Sequence, residues 1–388
     1  MVLVLLVFCL IFILPDIYLS LVLLRSATWW AHLLAWLPTV LAVGLLASIQ
    51  NSGINNAKFD VFVGLLICIA LPQLILLIFS ILGKLVSFAW PPAFALGNYV
   101  GIAVGAVVSL VMLYGLVLGW RQLAVRQVEL AFENLPAEFD GYRIAQLSDL
   151  HVGSYGTRTA FLEKVVRRVN DEQPDLVVVT GDLINTTPTE IAPFEQTLSQ
   201  LQAQDGVMAV TGNHDYCMYG VGKRPSNLRE GARPVVEAER RMGWQVLLNE
   251  HRLITRDGAQ IAIVGVENTG KPPFPEIGNL RAAMKGLPDD MFKILLSHDP
   301  SHWRIEVLPK TDIPLMLAGH THAAQVKFGS WSPSLWMYKE WSGLYQEAKQ
   351  YLYVSEGIGG SIPFRLGTTP EIIVFTLRRA KTDLDENI

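Results

Sequence analysis

Five short segments of this 388-residue chain carry side chains able to do chemistry together. They are Asp149-Leu150-His151, Gly181-Asp182-Leu183-Ile184-Asn185, Gly212-Asn213-His214-Asp215, Ser297-His298-Asp299 and Gly319-His320-Thr321-His322. Each follows a short apolar run. Alternate residues at a strand end can point to one side, which suits Asp149 with His151 and His320 with His322 as paired ligands. Four histidines (His151, His298, His320, His322), two aspartates (Asp149, Asp182) and Asn213 are then available at one edge of one sheet. Mixed imidazole and carboxylate donors suit manganese, iron or zinc better than calcium. Glycines in three of the segments let the backbone turn sharply where ligands converge. Singly, each segment has a bland reading as turn chemistry or surface histidine. Five in this order leave that reading little room.

The elements that must position these residues are legible as strand, loop and helix in repetition. Tyr142–Leu147, Asp175–Thr180 and Val207–Thr211 are apolar runs ending at the first three segments. Ala160–Asn170 has helical periodicity, and Pro193–Leu201 reads as a second helix. Gln260–Val266, Phe292–Leu296, Ile313–Leu317, Tyr351–Ser355 and Ile372–Leu377 are further strands. This alternation predicts an α/β domain, in which ligands gather beyond the carboxyl ends of the strands.

The N-terminal third is different in kind. From Met1 to Trp120 there are three basic residues (Arg25, Lys58, Lys84) and two acidic ones (Asp16, Asp60). The remaining 268 residues hold 28 basic and 33 acidic side chains, an ordinary balance for a water-exposed domain. Four apolar stretches have the roughly 20 residues a bilayer crossing needs: Val2–Leu24, Trp29–Ser48, Val61–Leu82 and Leu96–Trp120. The first lacks a basic leader region and reads as a retained span. Gly97, Gly101 and Gly105 form a small-residue stripe for close helix packing within the bundle. Asp16 beside Pro15 is an isolated intramembrane acid. The domain organisation expected is a four-helix transmembrane region over 1–120, a juxtamembrane connection over 121–141 and a catalytic domain over 142–388.

The five segments together resemble the calcineurin-like metallophosphoesterases, a superfamily of binuclear metal-dependent phosphohydrolases, and most closely its bacterial membrane-associated branch. The runs that carry the resemblance are SDLHVG (Ser148–Gly153), AVTGNHDY (Ala209–Tyr216), LLSHDP (Leu295–Pro300), LAGHTH (Leu317–His322) and PEIIVFTL (Pro370–Leu377). The resemblance implies a sandwich of two β-sheets flanked by helices. It implies one divalent metal on Asp149, His151, Asp182 and His322, and a second on Asp182, Asn213, His298 and His320. Asp182 would bridge them. His214 would be the catalytic histidine at the scissile phosphate, with Asp215 orienting it. Asn185 stands where the family often has Asp, and Ala323-Ala324-Gln325 where it often has Gly-Gly-Gln.

The expected activity is hydrolysis of a phosphate ester or phosphoanhydride by a metal-activated hydroxide. Two ions a few ångströms apart can clamp the attacking and leaving oxygens of such a displacement. Monoesterase, phosphodiesterase and pyrophosphatase chemistry all remain open. A protein phosphatase or nuclease of the same superfamily is the alternative, as is a non-catalytic membrane sensor of a phosphorylated ligand. A nuclease needs a basic groove, which the acidic balance disfavours, so no nucleic-acid partner is expected. Lys223, Arg224, Arg229, Arg233, Arg240 and Arg241 read equally as a solvated helix face or an anionic-substrate rim. The aromatic run Trp331–Tyr345 reads equally as core or as a pocket wall suited to a lipid-linked substrate. With four spans, Lys58, Arg121 and Arg126 lie on one side and Arg25 and Lys84 on the other. That excess predicts a catalytic domain facing the cytoplasm from a bacterial inner membrane. These motifs set no oligomeric state.

Overall fold

The computed structural model describes residues 7–52, 56–220 and 225–380, so Lys223, Arg224 and the start of the first expected span lie outside the described residues. The chain divides into two compact units, Met1–Leu118 and Gly119–Ile388.

The first unit is helical. Three stretches are long and apolar enough to cross a membrane: Trp29–Ile49, Ala57–Val86 and Ala93–Arg121. The described part of the first expected span is a shorter apolar helix, Cys9–Leu23. Pro15 and Pro72 each sit just after a wider π-type turn, Cys9–Ile13 and Leu66–Ala70. Such a turn accommodates a residue that has no N–H to give. The glycine stripe does pack inside the bundle. A Cβ on Gly97 would stand 2.6 Å from the Phe79 carbonyl and 2.9 Å from Gly83 Cα. Helices Leu71–Val86 and Ala93–Val117 therefore touch backbone to backbone, which only small residues allow. Asp16 is buried and accepts a 2.6 Å hydrogen bond from Thr39 Oγ1.

The second unit holds two six-stranded mixed sheets. One contains β1 (Ala124–Phe132), β2 (Arg143–Leu147), β3 (Leu176–Val179), β4 (Val207–Ala209), β5 (Gln245–Val246) and β12 (Glu371–Arg379), in the order β1-β12-β2-β3-β4-β5. The other contains β6 (Glu250–Arg256), β7 (Ala259–Gly265), β8 (Lys293–Leu296), β9 (Leu315–Ala318), β10 (Gly343–Glu347) and β11 (Gln350–Val354), in the order β10-β11-β9-β8-β7-β6. The period of two along each strand builds the layers. Leu176 and Val178 join Ile294, Leu296, Leu315, Leu317, Ile373 and Phe375 in the core between the sheets. Val177 and Val179 face the other way, onto Leu162, Val165 and Val169 of helix Ala160–Asp171. Leu295, Met316 and Ala318 likewise turn outward onto Trp303 and Val307.

Two sequence expectations change here. The stretch read as a connection over 121–141 contains β1, which pairs in parallel with β12 from Ala124↔Glu371 to Phe132↔Arg379. Only Leu130 and Phe132 of β1 are buried, so its apolar alternation is too weak to be seen without its partner. The expected helix Pro193–Leu201 is reduced to Glu195–Leu198. A longer helix appears at Leu228–Arg241, buried on one face through Ala232, Val235, Val236 and Ala238.

Candidate metal centre

β2, β3 and β4 run parallel in the first sheet, and β8 runs parallel to β9 in the second. Their five carboxyl ends deliver the five segments to one place. The ligands therefore come from two facing sheets and not, as expected, from one edge of one sheet. The paired ligands also do not use strand alternation. Asp149, His151, Asp182, His320 and His322 all have left-handed backbones, with φ of 53°, 43°, 57°, 72° and 49°. Asp and His tolerate that region better than branched or bulky residues, at a cost of about 1–3 kcal/mol each. Backbone bonds hold the strained turns: Asp149 N donates to Gly181 O (2.9 Å) and His151 N to Asp182 O (3.1 Å).

The side chains form two overlapping groups. Asp149, His151, Asp182 and His322 present ligand atoms within 4.8 Å of one another, as do Asp182, His298 and His320. Asp182 belongs to both. Its Oδ2 lies 3.1 Å from His298 Nε2 and 3.6 Å from His151 Nε2, while Oδ1 accepts from His214 N at 2.8 Å. Asp149 Oδ1 lies 3.1 Å from His322 Nε2, and its Oδ2 accepts from Ser148 Oγ at 2.6 Å. Gly212 has no room for a Cβ, because Asp182 Oδ1 occupies that position.

These residues fit a pair of divalent cations. His151 Nε2 faces His322 Nε2 at 3.2 Å, and His298 Nε2 faces His320 Nδ1 at 3.2 Å. Two ring nitrogens turned on each other need a shared proton or a shared cation. Asn213 donates through Nδ2 to Tyr219 OH (3.0 Å) and leaves Oδ1 buried without a partner. A buried acceptor left in that state is costly unless something positive meets it. Burial pushes the His151 ring well below its ordinary value and His320 down to about 4, so both keep a lone pair to give. Burial alone would lower His298 too, but the Asp182 and Asp149 carboxylates raise it to about 10. The two buried carboxylates thus call for positive charge at this spot, which bound cations would supply.

His214 lines the same cleft as Asp182, Asn213, His320 and His322. Its Nδ1 donates to the Asn185 carbonyl at 2.6 Å, since a carbonyl can only accept. The expectation that Asp215 orients this ring is corrected. Asp215 Oδ2 accepts from the N–H groups of Asp182 (2.9 Å) and Gly212 (2.8 Å), and Oδ1 from Leu183 (2.9 Å) and Ile184 (3.3 Å). It clamps the second segment to the third, and the Asn185 backbone holds the ring instead.

The departure at Asn185 has a structural reason. Asn185 Nδ2 donates to Ser154 Oγ (2.8 Å) and Gly360 O (3.4 Å), bonds that a carboxylate could not donate. The Ala323-Ala324-Gln325 departure is strained, with φ of 49°, 48° and 58°. Ala323 is buried against Tyr338 and Trp341, whereas Ala324 sits on the rim of the cleft.

Sequence reasoning passed over the loop Ser355–Gly360. Ile358 N donates to Ser148 O (2.9 Å) and Gly359 N to Asp149 O (2.7 Å), so this loop is the floor under the first segment. A Cβ on Gly357 would stand 2.8 Å from that of Asp149. The signal available was the crowding of Gly357, Gly359 and Gly360 just beyond a strand. Tyr338 was also missed in its particular role: its hydroxyl meets His320 Nε2 at 2.7 Å. Such a partner fixes the ring so that the other nitrogen is the donor to a metal. Tyr338→Phe is expected to weaken metal binding about tenfold, read by titrating metal into the stripped protein. Unchanged affinity would deny Tyr338 that part.

The basic cluster is a solvated helix face in its described part. Arg229 pairs with Glu267, Arg233 with Glu237 and Arg241 with Glu195. The aromatic run divides between both of its readings. Tyr338 and Trp341 are buried, and Trp336 and Met337 join Phe274 and Pro333 as the apolar wall of a cleft of about 360 Å³.

Residues 142–324 match the family described as "Calcineurin-like phosphoesterase". Residues 1–120 match "Probable Calcineurin-like phosphoesterase, transmembrane domain". The metallophosphoesterase YkuE of Bacillus subtilis is 33% identical over 260 residues, which is 63% of this chain and 82% of that protein. A transmembrane protein with metallophosphoesterase domain from Danio rerio is 30% identical over 310 residues, 77% of this chain and 68% of its own. The UDP-2,3-diacylglucosamine pyrophosphatase LpxG of Chlamydia trachomatis is 28% identical over 284 residues, 62% of this chain and 85% of that one.

Proposed function

The chain belongs to the calcineurin-like metallophosphoesterases, and from that premise we propose a membrane-anchored, binuclear phosphohydrolase acting on a lipid-linked phosphoanhydride or ester. The observation that carries the binuclear reading is Asp182, a single carboxylate shared by two donor groups. One metal would be held by Asp149, His151, Asp182 and His322, and the other by Asp182, Asn213, His298 and His320. Manganese, iron and zinc suit this donor set. Two such cations, when bound, supply Lewis acidity to a phosphoryl group and acidify a water molecule.

The chain's own residues do the rest. Asp149 and Asp182 fix the charge of the site, and Asp215 fixes the spacing between the segments that hold it. His214, with Nδ1 tied to Asn185 O, keeps Nε2 for the substrate. There it stabilises a phosphoryl oxygen or gives a proton to the leaving oxygen.

The lipid-linked part of the reading has two supports. The cleft has the donor groups on one side and Phe274, Pro333, Trp336 and Met337 on the other, which suits a substrate with a charged and an apolar end. The relative LpxG is named for hydrolysing a diacylated sugar-nucleotide pyrophosphate. The test is a hydrolysis screen of the purified protein with manganese. It should cover monoesters, diesters, a phosphopeptide, and a lipid-linked pyrophosphate in vesicles beside its water-soluble analogue. The lipid-linked compound is expected to turn over about tenfold faster than the analogue. Equal rates would remove the lipid from the proposal, and preference for the phosphopeptide would make the chain a protein phosphatase.

We propose further that the chain crosses a bacterial inner membrane four times, with the catalytic unit in the cytoplasm. The support is the excess of Lys58, Arg121 and Arg126 over Arg25 and Lys84 near span ends. Protease added to intact spheroplasts should spare the catalytic unit and cut it only after lysis. Cleavage in intact spheroplasts would reverse the orientation.

A further inference from the structure

Among the described residues of the catalytic unit, eight large apolar side chains are exposed, and five of them fall within ten residues. They are Phe328, Trp331, Leu335, Trp336 and Met337, with Trp336 78% and Met337 63% exposed. They form one surface: Phe328 stacks on Trp331 with ring centres 6.1 Å apart, and Trp331 meets Trp336 edge-on at 6.0 Å. Scattered exposed apolar residues need no explanation, but a contiguous set marks a contact surface.

The segment is held firmly in this presentation. Phe328 and Trp331 exchange backbone hydrogen bonds of 2.9 and 3.1 Å. Ser332 Oγ donates to Ala323 O at 2.6 Å, and Ser334 N donates to Ser332 Oγ at 3.1 Å. Tyr338 and Trp341 anchor its far end in the interior. The rings therefore lose little further freedom when they are covered.

We propose that Phe328–Met337 docks on the bilayer, with these side chains at headgroup depth, so that the metal cleft opens at the membrane surface. Three observations select a bilayer as the occupant. The last apolar span ends at Arg121 and β1 begins at Ala124, so the tether never lets the catalytic unit stray from a membrane. Tryptophan, phenylalanine and leucine are side chains that partition to this interface, and Met337 adds apolar area beside them. No acidic residue interrupts 328–337, and Lys339 is exposed just beyond it, which suits anionic headgroups. The surface is also continuous with the cleft, because Trp336 and Met337 belong to both. The docking does not depend on which compound is hydrolysed.

The test uses the full chain in nanodiscs of phosphatidylethanolamine and phosphatidylglycerol. A photoreactive benzophenone amino acid replaces Leu335, which is exposed and outside the cleft lining, and in a control replaces exposed Leu253 of β6. Illumination is expected to attach phospholipid at position 335 in about tenfold higher yield than at 253, read by mass spectrometry. Equal yields would overturn the proposal. So would attachment of position 335 to a second copy of the chain, which would make this face a protein interface. The double variant Phe328→Ser with Leu335→Ser should hydrolyse water-soluble bis-p-nitrophenyl phosphate within about twofold of the parent. Carrying the benzophenone at Trp331 instead, the full-length double variant should attach phospholipid in about tenfold lower yield than the parent carrying it there. An unchanged yield would also overturn the docking. If the substrate screen finds no lipid-linked substrate, the crosslinking yields still decide.

Discussion

Asp182→Asn is expected to lower bound metal from about two ions per chain to fewer than one and to reduce turnover on the order of a thousandfold. The substitution removes one charge and little else. Asn tolerates the left-handed backbone at φ 57° about as well as Asp does. Its side-chain oxygen can still accept from His214 N, now at 2.8 Å from Asp182 Oδ1. What it cannot do is present two anionic oxygens to two donor groups at once. His298 Nε2, 3.1 Å from Oδ2, and His151 Nε2, 3.6 Å from it, would both face an amide. Metal content by mass spectrometry and turnover with added manganese are the readouts, with a thermal melt to show that the fold persists. Full activity in the parent after exhaustive chelation, or retention of both ions in Asp182→Asn, would sink the binuclear assignment. Asp182→Ala is the harsher variant, since alanine also strains at this φ and leaves the His214 amide without its acceptor.

His214→Gln is expected to keep its metal and lose about a hundredfold to ten-thousandfold in turnover. His214 lines the cleft but belongs to neither group of clustered donor atoms. Its Nδ1 is engaged by Asn185 O at 2.6 Å, and its ring lies edge-on to His151 at 4.7 Å between centres. Glutamine can still donate to the Asn185 carbonyl, so the loop after β3 keeps its tie. It offers no second titratable nitrogen to a phosphoryl or leaving oxygen. The contrast between the two variants is the informative quantity. Equal metal loss in both would show that His214 is a ligand and that its place in the chemistry has been misread. Asp215→Asn should resemble neither: it leaves the His214 ring untouched and loosens the backbone clamp on Asp182, Leu183, Ile184 and Gly212.

The residues able to hold metal were legible in sequence because His, Asp and Asn recur together at the ends of five apolar runs, which turn chemistry alone does not require. Their order along the chain also carried the family resemblance. Continuous apolar, β-branched runs such as Leu176–Val179 and the longer unbroken apolar spans determined the class of each unit, since a strand buried on both faces and a helix in lipid demand those patterns. Tertiary structure decided how the ligands converge. Asp149 and His151 look like alternate residues of a strand, yet both sit in left-handed turns, held by Gly181 O and Asp182 O from a segment thirty residues away. It also decided that ligands arrive from two sheets, because sheet pairing such as β2 with β3 and β8 with β9 is a long-range event. Asp215 looked like the partner of its neighbour His214, but a buried carboxylate goes where unpaired N–H groups are densest, and those lay on the loop after β3. The strand Ala124–Phe132 and the glycine loop Gly357–Gly360 were hidden for the same reason. Neither has a buried apolar pattern strong enough to declare itself, and each exists through backbone bonds to a partner far along the chain. Local pattern reports what a residue can do; only the fold reports which distant backbone it does it with.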